Sequence, residues 1–172
     1  RETGMMPLRA WQPEIPSFYR RLMHEDGKAI VELPFGVSQK HIIFQSLHRK
    51  KMLGGMGEAN PGLFSKSFTS FINRNSLARM LVLASRNPKT EITIRQGDAR
   101  EMKAKGFRYA ILHEEYYYLV RYPQLSFQEP SSLFQAVKER FTGLFGPPVY
   151  EGEGLVVFDL FQNAEEGSRV SR

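Results

Sequence analysis

Ala29-Ile-Val-Glu-Leu-Pro-Phe-Gly36 decides the fold. Residues 28–33 are apolar and β-branched, the make-up of a strand covered on both faces, and Pro34 and Gly36 end it because neither continues a ladder comfortably. Such a strand belongs to a layered α/β domain. Its single charge, Glu32, is costly to bury without a partner, so the carboxylate must reach a sheet edge, a counter-charge or a cleft. A cleft outside a strand's carboxyl end is the general ligand position of open α/β sheets. The plainer alternative is an ion pair with Arg or Lys at the surface end of the strand.

Upstream, residues 17–24 place apolar side chains at 18, 19, 22 and 23, which predicts a short helix with Ser17 as its N-cap, and Asp26-Gly27 then turns the chain. Downstream, residues 41–48 form an apolar run without a clean period and fit a strand or a helix. Gly54, Gly55, Gly57 and Asn60-Pro61-Gly62 make a loop. Phe64, Phe68, Phe71 and Ile72 fall at helical spacing and a second amphipathic piece runs over 76–83, giving two helices or one broken near Asn75. Residues 91–95 alternate like a short strand, 97–105 suit a helix closed by Gly106, and 107–113 read as a second firm strand. The aromatic stretch 114–123 reads as turn, with Tyr116, Tyr117 and Tyr118 as packing and rim. Ser132 and Gln135 have capping-box spacing, opening a helix that Gly146-Pro147-Pro148 stops. Residues 149–160 read as a hairpin around a glycine-containing loop. The expected architecture is a layered α/β domain over 11–161, with a mixed, mainly parallel sheet, a C-terminal β-hairpin and flexible ends at 1–10 and 162–172.

With 172 residues, 41% of them hydrophobic, including 13 Phe and 7 Tyr, the chain has material for a real core. The absence of cysteine excludes disulfides, thiolate metal sites and a cysteine nucleophile. No window approaches the roughly 18 to 20 apolar residues of a membrane-spanning helix, so the chain itself is expected to be soluble. It opens Arg-Glu-Thr-Gly, with neither an initiator Met nor a signal-peptide layout, and is read as a piece of something larger. The net charge of +6 suits an anionic partner, although the basic residues are scattered along the chain as on an ordinary solvated surface.

Candidate chemistry gathers around the first strand. His48 lies in a polar segment with Gln45, Arg49, Lys50 and Lys51, where an imidazole can bind phosphate, shuttle a proton or bond a carboxylate. Glu32 and His48 make a minimal acid/base pair if the fold joins them. His24, His41 and His113 carry less weight, since no histidine pair has metal-ligand spacing; no metal or cofactor is expected. Gly54-Gly-Met-Gly57 lacks the phosphate-loop pattern, with Asn60 where a third glycine would stand, and reads as backbone turns. A Gly-x-Ser-x-Gly elbow is missing too, so a serine hydrolase is unsupported.

Several landmarks together carry a resemblance. They are Ile30-Val-Glu-Leu-Pro-Phe-Gly36, Gln45-x-x-His48 with Gly54-Gly55 behind it, Gly106-Phe-Arg-Tyr-Ala-Ile-Leu-His113, and Phe145-Gly-Pro-Pro-Val-Tyr-Glu151 leading to Val156-Val-Phe-Asp-Leu160. Over roughly residues 15 to 160 the chain resembles the C-terminal soluble region of bacterial polytopic membrane proteins related to the GT-C glycosyltransferases. In the family's Gln-x-x-His-Gly-Lys-Pro loop a glycine is usual where this chain has Arg49. The resemblance implies a domain on the extracytoplasmic face of a bacterial membrane, tethered by a transmembrane part outside this chain. It also implies that the catalytic carboxylate lies in that other part.

The expected function is therefore a soluble accessory domain of a membrane-bound glycosyltransferase-like protein, serving substrate binding or docking rather than catalysis. Glu32, Gln45, His48, Gly54 and Gly55 form the expected surface. Its expected partners are the membrane part of the same protein and an anionic lipid or lipid-linked sugar, with no nucleic acid. Two rivals stand beside it. One is a free-standing α/β transferase or hydrolase using Glu32 and His48; the other is a basic nucleic-acid module using Tyr116 to Tyr118, which requires a contiguous basic face.

Overall fold

The computed structural model describes residues 14–25, 27–35, 40–54, 66–119 and 129–162. Five strands form one sheet in the order β2-β1-β3-β5-β4: β1 (Ala29–Leu33), β2 (Lys51–Leu53), β3 (Phe107–His113), β4 (Tyr150–Gly152) and β5 (Leu155–Asp159). β1 runs parallel to both β2 and β3, while β5 pairs antiparallel with β3 and closes a hairpin with β4. The chain thus adopts the mixed sheet, parallel at its core, with a C-terminal hairpin that the sequence predicts.

Seven helices are described: α1 (Ser17–Leu22), α2 (Lys40–His48), α3 (Lys66–Arg74), α4 (Ser76–Ala84), α5 (Gln96–Ala104), α6 (Glu114–Leu119) and α7 (Pro130–Phe145). Because successive strand residues point to opposite faces, the sheet presents two apolar surfaces. Ile30, Ile111 and Val157 pack with Phe18 and Leu22 of α1 and Phe44 of α2. Val31, Leu33, Leu112 and Phe158 pack instead with α4, α5 and α7, through side chains such as Leu81, Met102 and Phe141. Full coverage on both sides explains why every residue of β1 is buried.

Two glycines allow the strands to meet their neighbours. Gly106, at φ +85°, turns α5 into β3 so closely against Lys28 that a Cβ there would lie 2.7 Å from the Lys28 Cβ. Its carbonyl accepts the amides of both Lys28 and Ala29, which sets the start of β1 against β3. Gly54, at φ +102°, plays the matching part after β2: a Cβ there would come 2.6 Å from the Glu32 carbonyl oxygen.

Two open local readings are resolved and several others are corrected. Residues 40–48 are helical, and Asn75 divides α3 from α4 by accepting the Ala78 amide as an N-cap. The alternating stretch 91–95 forms no strand. Ile92 and Ile94 still lean on the core, while the Arg95 amide donates to the Ser76 hydroxyl rather than to a ladder. Residues 114–119, read as turn, are α6, whose Tyr116 and Tyr117 are both buried. α7 begins at Pro130 rather than at the Ser132 capping box, since proline suits a first turn whose amides have no helical partner. Ser17 is the first residue of α1, not its cap: both its amide and its hydroxyl donate to Glu153 at 2.6 Å. Gly55, Gly57, the turn at 60–62, Phe64 and residues 120–123 lie outside the described residues, as do the expected ends except for residue 162.

Candidate functional site

The parallel strands β1, β2 and β3 share one carboxyl edge. From it the chain leads from β1 to α2 on one face of the sheet, and from β3 through α6 to α7 on the other. Two neighbouring strands whose connections diverge in this way mark the switch point of an open α/β sheet, the general position of ligands in such folds. Glu32 sits beside Ile111 in the register of β1 and β3, and His113 ends β3 two residues further on, so both side chains project on the α1/α2 face at this point.

There they meet. His113 Nε2 lies 2.7 Å from a Glu32 carboxylate oxygen, and the Tyr19 hydroxyl of α1 lies 2.9 Å from both Glu32 oxygens and 3.0 Å from His113 Nε2. Burial, and then the neighbouring Glu32 charge, push the Tyr19 phenol well above its ordinary pKa, so it keeps its proton and donates it to the carboxylate. An ionised carboxylate only accepts, so His113 Nε2, 2.7 Å away, carries the ring proton and is the second donor. The carboxylate thus accepts from two sides in a place closed to water: Glu32 and Tyr19 are 0% exposed and His113 is 2% exposed. Stacked rings complete the enclosure, with Phe44 on Tyr19 at 4.5 Å and Tyr116 on His113 at 4.4 Å.

His48, at the end of α2, joins the same cluster by stacking on Tyr19 at 5.6 Å, and is 3% exposed. Its Nδ1 accepts the Lys50 amide at 3.0 Å, which assigns the ring proton of the neutral form to Nε2. Burial lowers its pKa, and Lys50 lowers it further against the opposing pull of Glu32, so the imidazole favours that neutral form. Among the described residues nothing accepts from Nε2. A buried donor without an acceptor is unfavourable, and its chemistry is that of a group that bonds an oxygen.

The pairing expected between Glu32 and His48 is therefore corrected in its partner. Glu32 bonds His113 and Tyr19 directly, while His48 reaches the cluster through the Tyr19 ring. Gln45 holds the end of α2, its amide donating to the Lys50 carbonyl at 3.2 Å and its own carbonyl accepting from Arg49. Gly54 abuts the backbone of Glu32, and Gly55 lies outside the described residues. Of the three consecutive tyrosines only Tyr118 is exposed, so they offer no platform on which bases can stack. Among the described residues no three His, Asp or Glu side chains are grouped to hold a metal ion, and no helix is long and apolar enough to cross a membrane.

His113 and Tyr19 are the members that sequence reasoning undervalued. The available signal was the strand alternation Tyr109, Ile111, His113, which ends in a polar residue as the same-face pair Ile30, Glu32 does in the first strand. Only the register shows that the two polar ends are neighbours. No protein-family model, curated protein or solved structure matches the chain.

Proposed function

We propose that this chain is the extracytoplasmic accessory domain of a membrane-bound glycosyltransferase-like protein, and that the carboxyl edge of β1 and β3 around Glu32 serves substrate binding or docking rather than catalysis. The observation that carries the second half is the engaged carboxylate of Glu32. Both of its oxygens are taken by protein donors in a fully buried enclosure, the arrangement of a fixed post rather than of a base waiting for a proton. Beside it, the buried His48 Nε2–H has no acceptor among the described residues, and its chemistry suits a hydroxyl, carbonyl or phosphate oxygen of a sugar-bearing substrate.

The tether and the location rest on the resemblance of the strand and loop landmarks. One backbone angle supports the loop correspondence: Arg49 has φ 57°, the left-handed conformation that favours glycine, at the position where the family's loop carries one. The membrane part of the same protein and an anionic lipid or lipid-linked sugar are the partners this reading gives.

The test uses the protein in its own cells. An antibody against this domain is expected to detect a species longer than 172 residues that stays with membranes through alkaline extraction and is cut by protease added from outside. A species of this length in the soluble fraction overturns the tether. In the membrane-bound protein, His48→Ala is expected to raise KM for sugar transfer with kcat little changed. The enzyme reading, which the neutral and unengaged His48 Nε2–H favours, predicts instead a collapse of kcat.

A further inference from the structure

On the opposite side of the sheet, where α3 gives way to α4 and the segment 91–95 runs past, lies a cleft of about 430 Å³. We propose that it is a second binding site, for a phosphate group, independent of the cluster at Glu32 and of the membrane tether. Arg74, Arg79 and Arg95 wall it, with Asn73, Ser76 and Thr93 between them.

The charges there do not cancel. Arg95 is engaged by Asp98 at 2.7 Å; Arg74 stands 3.7 Å from Glu101, which Lys105 approaches at the same distance from another side. Among the described residues Arg79 has no carboxylate partner, so four cations share two carboxylates and the excess falls on Arg79 and Arg74. Guanidinium groups donate and never accept, and their fork matches a tetrahedral oxyanion. The neutral groups add to this. The Ser76 hydroxyl is engaged, accepting the Arg95 amide and donating to Asp98, so the Thr93 hydroxyl and the Asn73 amide are the neutral groups this wall offers. The N-terminus of α4 is not the attraction, because Asp98 takes the Ser76 amide and Asn75 takes that of Ala78. A ligand that satisfies this wall must be acceptor-rich, anionic and small at the contacting end. A phosphate, free or on a lipid headgroup, has that chemistry.

Two probes separate the sources: inorganic pyrophosphate titrated into the domain at low salt, and co-sedimentation with phosphatidylglycerol vesicles against purely zwitterionic ones. Arg79→Ala is exposed and should fold normally, which a thermal melt checks; Arg20→Ala, on α1, removes the same charge far from the cleft. The expected result is binding of at least one probe, weakened roughly tenfold or more by Arg79→Ala and unchanged by Arg20→Ala. Pyrophosphate binding assigns a soluble phosphate, and binding to the anionic vesicles alone assigns a headgroup. If neither probe binds, or if both variants weaken binding equally, the site does not exist and the charge is a diffuse one. Neither outcome bears on the membrane fractionation, so the two proposals fail separately.

Discussion

The two faces of the sheet begin alike and end differently. On the side of α4, α5 and α7 the strand residues Val31, Leu33, Ala110 and Leu112 are apolar to the carboxyl edge. On the side of α1 and α2 the series Ile30, Ile111 and Val157 gives way at that edge to Glu32, His113, Tyr19 and His48. The first face shows that apolar packing alone closes this sheet. The polar cluster on the second is therefore an added feature, held despite its desolvation cost at the switch point of the fold.

The contrast is broken most forcefully at Glu32. Glu32→Ala leaves His113 and Tyr19 buried without their acceptor, and is expected to cost about 3–5 kcal/mol in urea unfolding. A loss below 1 kcal/mol would mean that the cluster is open to water. The same chemical change on each face sharpens the comparison. Tyr19→Phe removes a bond to a carboxylate and should cost about 1.5–3 kcal/mol, whereas Tyr117→Phe removes a neutral bond to the Ser85 carbonyl and should cost about 0.5–1.5 kcal/mol.

A smaller effect is expected from His48. Its pKa is lowered in the fold, so below its unfolded value near 6.5 the unfolded chain binds the proton more readily, and stability falls as pH drops from there towards the folded pKa. His48→Phe cannot titrate, and subtracting its stability curve from that of the wild type between pH 7.5 and 5 should leave that decline. A flat difference would place His48 in water. The smallest effect lies at the rim of the apolar face, where hydrogen bonds from Ser76 hold Asp98 down to about 2. Being depressed, this carboxylate stabilises the fold above its unfolded pKa near 3.9, and the contribution is lost as pH falls through about 2. Acid titrations of the wild type and Asp98→Asn should therefore separate above pH 4 and converge towards pH 2.

The layered fold was legible because β1 and β3 are largely apolar runs, the first stopped by Pro34 and the second opened by Gly106, and because the glycines at 54 and 106 mark turns that only their backbone conformation permits. Glu32 was legible for the opposite reason, as a charge out of place. Its partners were not: Tyr19 lies 13 residues before it and His113 lies 81 after, and what joins them is the register of a parallel pair and the seat of a six-residue helix. Segment 91–95 misled because alternation reports which side chains are buried, not whether the backbone finds a ladder.

The most direct measurement is the ¹⁵N and ¹H spectrum of the His113 ring. If Glu32 is a post fixed by two donors, the Nε2–H proton is strongly deshielded, exchanges slowly with water, and disappears from that position in Glu32→Gln. A ring proton that exchanges freely and ignores the substitution would contradict the enclosed, engaged carboxylate on which the account of this cluster stands.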